Sequence, residues 1–436
     1  MNKDKSNLSG FWAEGYLSED IINHKNNSTL HLFIIWEKSR DKSDLILDDL
    51  KNFLTIRQVY EIQWNKEFFL TNLKRFYERR LPEAQQKANL CGTGSFLAVL
   101  VSDFNPILKK MKAPNDEEDI VNMNIVESKM KYRTWIGKEF SIHSSISEKE
   151  TNHDLTLLFG KNTNDLDIEL PEKWNGSIAK IESDLVGQNG WNDFKQLLYV
   201  LNGTVNYVIL RNFEGMPDKF NYNDVDLLTE DVKIRYVLDG NFSLYGDNIS
   251  RLKMKVGDEI LEFDFRYLTN QHYMDTKWLK DILNRRVFHT NGFYVPCKED
   301  YFYSLLYHAI FHKGIISDKS KKRLYDLAQD LNLSDVTEQT FSHFNESTNF
   351  LKKYMKKMKY RNSNSFIYKL KQNEYRRLVK VSIFIAKSQG LRYLLGVIKH
   401  KIAITLHDAM ENIIQGGKII DKTDYDLKNT METNKD

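Results

Sequence analysis

Asn223-Asp224-Val225-Asp226-Leu227-Leu228 and, further along, Leu261-Glu262-Phe263-Asp264-Phe265-Arg266 are the stretches on which the fold turns. In an extended strand alternate side chains share a face, so Asp224 and Asp226 project together while Val225 and Leu227 enter a core. By the same alternation Glu262, Asp264 and Arg266 face one side, and Leu261, Phe263 and Phe265 the other. Carboxylates gathered on one sheet face repel one another strongly unless a hard cation such as Mg²⁺ or Mn²⁺ lies between them. Function is a simpler reason for the arrangement than stability.

Outward from these strands, residues 207–210 form a further strand, 232–238 a helix, and 242–268 three strands, with Gly257-Asp258 as a hairpin turn. From Asp300 onward Tyr301, Leu305, Leu306, Ala309 and Ile310 share one helical face. His308 and His312 stand one helical turn apart, but no Glu follows the first, so a zinc-protease motif is excluded. A metal or a phosphate is one use for the pair; a helix packed over the carboxylates is the expected role, with Lys313 and either Arg285 or Arg286 as phosphate contacts. Towards the N-terminus, residues 30–36 are a buried strand, followed by a helix through Leu45, Leu47, Leu50 and Phe53 and a strand at 55–63. Helical spacing returns at Phe68, Phe69, Leu73, Phe76 and Tyr77, and a Gly92/Gly94 break leads to a strand at 96–101.

The chain of 436 residues is too long for one ordinary domain. Its 63 basic and 60 acidic residues nearly balance, so no general pull toward nucleic acid follows, and no specific nucleic-acid partner is expected. Cys91 and Cys297 are the only cysteines, which supports neither a disulfide framework nor a cysteine-rich zinc site and suits a reducing cytoplasm. No apolar run approaches the roughly 18 residues that cross a bilayer. Residues 376–414 mix apolar groups with Lys380, Lys387, Arg392, Lys399 and Lys401, as a helix on the anionic inner face of a membrane does and as a buried helix does too.

Val208-Ile209-Leu210-Arg211-Asn212, a polar loop, the Asp224/Asp226 strand and the later Asp264 strand together resemble the polymerase-beta-like minimal nucleotidyltransferase family, including relatives found with bacterial cell-surface polysaccharide genes. The resemblance implies that Asp224, Asp226 and Asp264 are catalytic and hold divalent metal against a nucleotide's phosphates, with Asp264 as base for the acceptor hydroxyl. The Gly-Ser pair that usually precedes the carboxylates is replaced here by Arg211-Asn212. Arg211, Asn212, Arg266 and Lys313 are the implied substrate-binding residues.

The order strand, helix, strand, then Arg75-Phe76-Tyr77, Gly92-Thr93-Gly94-Ser95 and Ile142-His143-Ser144-Ser145 before a helix is similar to nucleoside diphosphate kinase over about residues 30–160. That resemblance implies a ferredoxin-like domain in which His143 takes the γ-phosphate as a phosphohistidine; Lys129, Lys131 and Arg133 offer phosphate contacts, in a register that is not the family's. Trp36-Glu37-Lys38 replaces the family's Lys-Pro-Asp, Ser144 the glycine after the histidine, and Phe140 an asparagine.

The expectation is an α+β protein: a nucleoside diphosphate kinase-like domain at 28–162, a linker at 163–196, a nucleotidyltransferase-like mixed sheet at 197–298, a helical domain at 299–416 and a tail at 417–436. The expected function is Mg²⁺- or Mn²⁺-dependent nucleotidyl or phospho-polyol transfer from a nucleotide donor to a sugar or glycan acceptor, in the cytoplasm or at the inner membrane face. Two alternatives stand beside it: a catalytically degenerate nucleotide-binding or assembly protein, and a nucleotidyltransferase toxin that modifies RNA or protein.

Overall fold

Burial on both faces makes the first strand. In the computed structural model, which describes residues 28–78, 81–112, 118–137, 141–218, 224–230, 232–238, 251–268 and 273–361, β1 (Thr29–Ile35) turns Leu30, Leu32 and Ile34 into one core and Phe33 and Ile35 into another. A strand covered on both sides reads as an unbroken apolar run. There follow α1 (Ser43–Leu50), β2 (Thr55–Ile62), α2 (Phe69–Phe76), α3 (Leu81–Cys91) and β3 (Phe96–Asp103). A hairpin of β4 (Leu108–Lys112) and β5 (Glu118–Asn122) leads to α4 (Met123–Ile136), β6 (Ile142–Ser144) and α5 (Glu148–Phe159), then α6 (Thr163–Glu169) and β7 (Ile178–Ile181). The sheet runs β6-β1-β3-β2-β7, with β7 parallel to β2 and every other neighbouring pair antiparallel. Ile46, Leu47 and Leu50 of α1 and Ile125 and Tyr132 of α4 cover one face, while α2, α3 and α5 cover the other.

Between α3 and β3 the turn requires glycine. Gly92 has φ +88°, and a Cβ there would lie 2.2 Å from Glu37 Oε2, which accepts hydrogen bonds of 2.7 Å from the N–H groups of both Thr93 and Gly94. The helix expected to run through Phe53 stops at Leu50, and Phe53 is exposed. The expected linker at 163–196 instead carries α6 and supplies β7 to the sheet.

The second sheet is mixed. After α7 (Phe194–Thr204) come β8 (Tyr207–Ile209), β9 (Asp224–Thr229), α8 (Ile234–Leu238), β10 (Arg251–Val256) and β11 (Glu259–Tyr267). They are ordered β10-β11-β9-β8, with β9 and β11 parallel and the outer pairs antiparallel. Val256 pairs with Glu259, so Gly257-Asp258 is the two-residue turn expected there. Then follow α9 (Thr276–Asn284), the ribbon β12 (Val287–His289) and β13 (Phe293–Val295), α10 (Lys298–Tyr307), a π-helical turn at His308–Lys313, α11 (Asp318–Asp330) and α12 (Phe344–Lys357). The protein is thus α+β, with several small sheets. Val225, Leu227, Phe263 and Phe265 of the second sheet belong to the same apolar cluster as Leu32, Ile34 and Phe96 of the first. Among the described residues no helix is long and apolar enough to cross a membrane. The strand expected near residue 242, the stretch 376–414 and the tail 417–436 lie outside the described residues.

Arg57 holds the 163–175 segment in place. Its guanidinium donates to Pro171 O at 2.6 Å, Asp167 Oδ1 at 2.7 Å, Ser102 Oγ at 3.0 Å and Asp167 O at 3.2 Å. Removing the donor breaks these four hydrogen bonds, one of them to the buried Ser102, so Arg57→Leu should lower the unfolding free energy by about 2 to 3 kcal/mol. Urea denaturation checks this, and an unchanged midpoint would show that the clamp is dispensable.

Candidate functional site

Parallel pairing of β9 with β11 sets Asp224 opposite Glu262 and Asp226 opposite Asp264. Asp226 and Asp264 are 2% and 7% exposed, so two carboxylates sit side by side largely out of water. Burial alone pushes such groups toward their neutral form. The counter-charges are two arginines. Arg211, just past β8, pairs with Asp226, and Arg266 engages both oxygens of Asp264, one of them at 2.6 Å. On the neighbouring strand Arg251 and Lys253 approach Glu262 at 3.4 and 3.6 Å. Asp224 is in no ion pair among the described residues. The Asp226 carboxyl is raised above its ordinary value by burial first, against the pull of Arg211 and with Asp224 and Asp264 adding to it.

Tyr273 ties the arginines together. Its hydroxyl accepts from Arg211 Nη1 at 3.1 Å and its ring lies 4.8 Å from the Arg266 guanidinium. His312 stacks on that ring with centroids 4.5 Å apart and donates from Nε2 to the Tyr273 carbonyl at 3.0 Å. His308 lies behind, 5.4 Å from the His312 ring, with a buried Nδ1 that has no partner. Both histidines sit on the π-helical turn, which sets His312 against Tyr273. Asn212 adopts φ +62° and its Oδ1 lies 3.3 Å from Arg323 Nη1, while Lys313 is exposed at the end of the turn. Arg285 is committed to Asp300 at 2.6 Å, and Arg286 lies over the Tyr294 ring. Neither faces the carboxylates as a phosphate contact in this arrangement.

His143 belongs to a second centre, on the first sheet. Strand β6 pairs with β1 and sets His143 beside Ile34. Its Nε2 is 2.6 Å from Asp154 Oδ2 and 4.0 Å from Glu150 Oε1, both on α5. Phe76 and Tyr77 stand edge-on to the imidazole at 5.3 and 5.5 Å. The other oxygen of Asp154 accepts from His153 Nδ1 at 3.0 Å, and His153 Nε2 is 3.8 Å from Glu78. Burial works against the Asp154 charge, but His143 and His153 outweigh it and hold the carboxyl below its ordinary value. Lys129 donates to Ser144 O at 2.9 Å and Arg133 reaches Ile142 O at 3.4 Å, beside the histidine. Lys131 turns away to Asp49.

In kind, three carboxylates on adjacent strands suit Mg²⁺ or Mn²⁺. Their donor atoms are not drawn together here, since Arg211 and Arg266 supply the positive charge instead. Among the described residues, the group of possible ligands whose donor atoms all lie within 4.8 Å of one another is His143, Glu150 and Asp154. Tyr273, Glu150 and Asp154 carry no motif of their own. The one signal available for the last two is their i, i+4 spacing at the start of the helix after His143. No family model, curated protein or solved structure matches this chain.

The two imidazoles of the π-helical turn carry a pH signature. Burial, reinforced by Arg211, takes His308 from 6.5 down to about 2, and burial takes His312 down to about 4. A histidine held below its unfolded value binds its proton only on unfolding, so this stability is complete above about pH 6.5 and is lost as pH falls. Between pH 7 and pH 5 each should cost about 1 to 2 kcal/mol of unfolding free energy. Urea melts across that range measure the slope, which His312→Gln should make shallower.

Proposed function

We propose that this chain is a metal-dependent nucleotidyl- or phospho-polyol transferase of the polymerase-beta-like kind, acting on a hydroxyl of a sugar or cell-surface glycan. The observation that carries the reading is the register of β9 and β11, which sets Asp226 beside Asp264 with Asp224 one pair away, all on the face opposite the core. Strand directions add support: β8 antiparallel to β9, and β9 parallel to β11, give the mixed sheet that the resemblance implies. In the N-terminal half, the β6-β1-β3-β2 order with α1 and α4 on one face supports the ferredoxin-like, nucleoside diphosphate kinase-like reading.

Mg²⁺ or Mn²⁺ held by Asp224, Asp226 and Asp264 would neutralise charge on the donor's phosphates. Arg211 and Arg266 present planar guanidinium forks that leave the carboxylates for phosphate oxygens when a donor arrives. Tyr273 keeps both forks aimed at one place. Asp264 takes the proton of the acceptor hydroxyl as its oxygen bonds to phosphorus, and the bond to pyrophosphate or to a nucleoside monophosphate breaks. His308 and His312, neutral and packed behind Tyr273, add no positive charge that would compete for the carboxylates.

A second activity is favoured by the His143 geometry. Asp154 holds Nε2 and no hydrogen bond occupies Nδ1 among the described residues, so Nδ1 is the nitrogen placed to accept a γ-phosphate.

Incubating the protein with Mg²⁺ and each nucleoside triphosphate or cytidine-diphosphate polyol, with products resolved by mass, tests both activities. Pyrophosphate or a nucleoside monophosphate should appear and fall at least a hundredfold in Asp226→Asn, a change that keeps the side chain's shape. Release of nucleoside diphosphate that His143→Ala abolishes would assign the turnover to the first sheet. Silence with every donor would sink the enzyme reading in favour of a binding or assembly protein.

A further inference from the structure

We infer that His143, Glu150 and Asp154 form a binding site for a transition-metal dication of the Zn²⁺ class, separate from the carboxylates of β9 and β11. One imidazole nitrogen and two carboxylate oxygens have donor atoms within 4.8 Å of one another. This matches the three protein ligands of a zinc site that keeps a fourth position open. The imidazole nitrogen favours a borderline-soft ion over Mg²⁺, whose ligands are oxygens.

The ligands are already positioned. Ladder pairing fixes His143 at the sheet edge. Glu150 and Asp154 are four residues apart on α5, one turn above the other, on a helix capped by Ser147 through a 3.2 Å bond to Glu150 N. Asp154 is fixed at its second oxygen by His153 Nδ1, the outer contact that orients a ligating carboxylate. His143 and Asp154 are buried, whereas the Glu150 side chain is 31% exposed and provides the way in.

The proton shared at 2.6 Å by His143 Nε2 and Asp154 Oδ2 sits where the cation belongs. Tetrahedral ligands at about 2.0 to 2.1 Å from the metal stand about 3.3 Å apart. Binding therefore opens the 2.6 Å contact and closes the 4.0 Å separation from Glu150 by similar small amounts. The proton is released as the metal enters.

The test uses the full-length chain, stripped with chelator and titrated with Zn²⁺ by equilibrium dialysis, with Co²⁺ absorption read in parallel. One equivalent should bind, with visible Co²⁺ bands of a four-coordinate nitrogen and oxygen site, and millimolar Mg²⁺ should not compete. Glu150→Gln, at the half-exposed ligand where folding is least at risk, should weaken binding at least tenfold, and His143→Ala further. Unchanged affinity in Glu150→Gln, absence of stoichiometric binding, or a thiolate charge-transfer band pointing to Cys91 or Cys297 would each overturn the assignment. Because the readout is metal binding, it stands or falls independently of any transferase activity.

Discussion

Two buried carboxylates on neighbouring strands set the terms for the second sheet. Asp226 and Asp264 lie in register, with the apolar side chains of Val225, Leu227, Phe263 and Phe265 packed immediately beneath them. Desolvation and mutual repulsion both oppose ionisation there, and neither is affordable without a cation within reach. Arg211 and Arg266 meet the requirement, and the surrounding structure exists to hold them. Tyr273 braces both guanidinium groups, His312 braces Tyr273, and the π-helical turn places His312. An ordinary α-helical turn would rotate its side chains differently, so the local widening at 308–313 and the charge balance on β9 and β11 are one construction.

The two sheets do not keep separate interiors. Arg75, buried on α2, donates to Val186 O at 2.6 Å and to Val237 O at 2.9 Å, joining the first sheet's helical layer to α8 of the second. A guanidinium spanning backbone carbonyls from two elements fixes their spacing more firmly than apolar contact alone, because its fork geometry is rigid. Two residues past the end of that helix, Glu78 adopts φ +50° and lies 3.8 Å from His153 and 3.7 Å from Lys233. The His143 centre is therefore connected through α2 to the half that bears the carboxylates.

Legibility in the sequence follows physical locality. β1, β3, β9 and β11 are evident because alternation or unbroken apolarity is a property of consecutive residues, and the face shared by Asp224, Asp226, Glu262 and Asp264 follows from that alternation directly. β7 is not evident. Ile178–Ile181 is a four-residue edge strand with no buried position, and its pairing with β2 rests on the distant Arg57 clamp and on Trp174 N donating to Ile56 O at 2.8 Å. Phe53 fails for the opposite reason: its helical spacing is right, but the backbone turns before it into β2. The pairing of Arg211 with Asp226 cannot be read from local pattern either, since it joins a loop residue to a strand across a polar loop. The same holds for Tyr273, whose role lies entirely in contacts distant along the chain.

The two centres cover their carboxylates with different groups, and on the proposed reading that difference decides how each opens. On β9 and β11 the positive charge is guanidinium, which cannot be deprotonated in a protein. Those carboxylates are uncovered only by a side chain swinging to another anion, and a phosphate is the anion that matches a bidentate fork. At His143 the cover is a hydrogen bond between Nε2 and Asp154 Oδ2, with a second imidazole on the carboxylate's other oxygen. Protons exchange without rearranging a chain, so a metal ion would enter the proposed site by displacing the Nε2 proton. Under the proposed roles, a phosphate would compete for the arginines of the first centre and a metal ion for the proton of the second. Each centre thus keeps its own carboxylates under a different kind of cover.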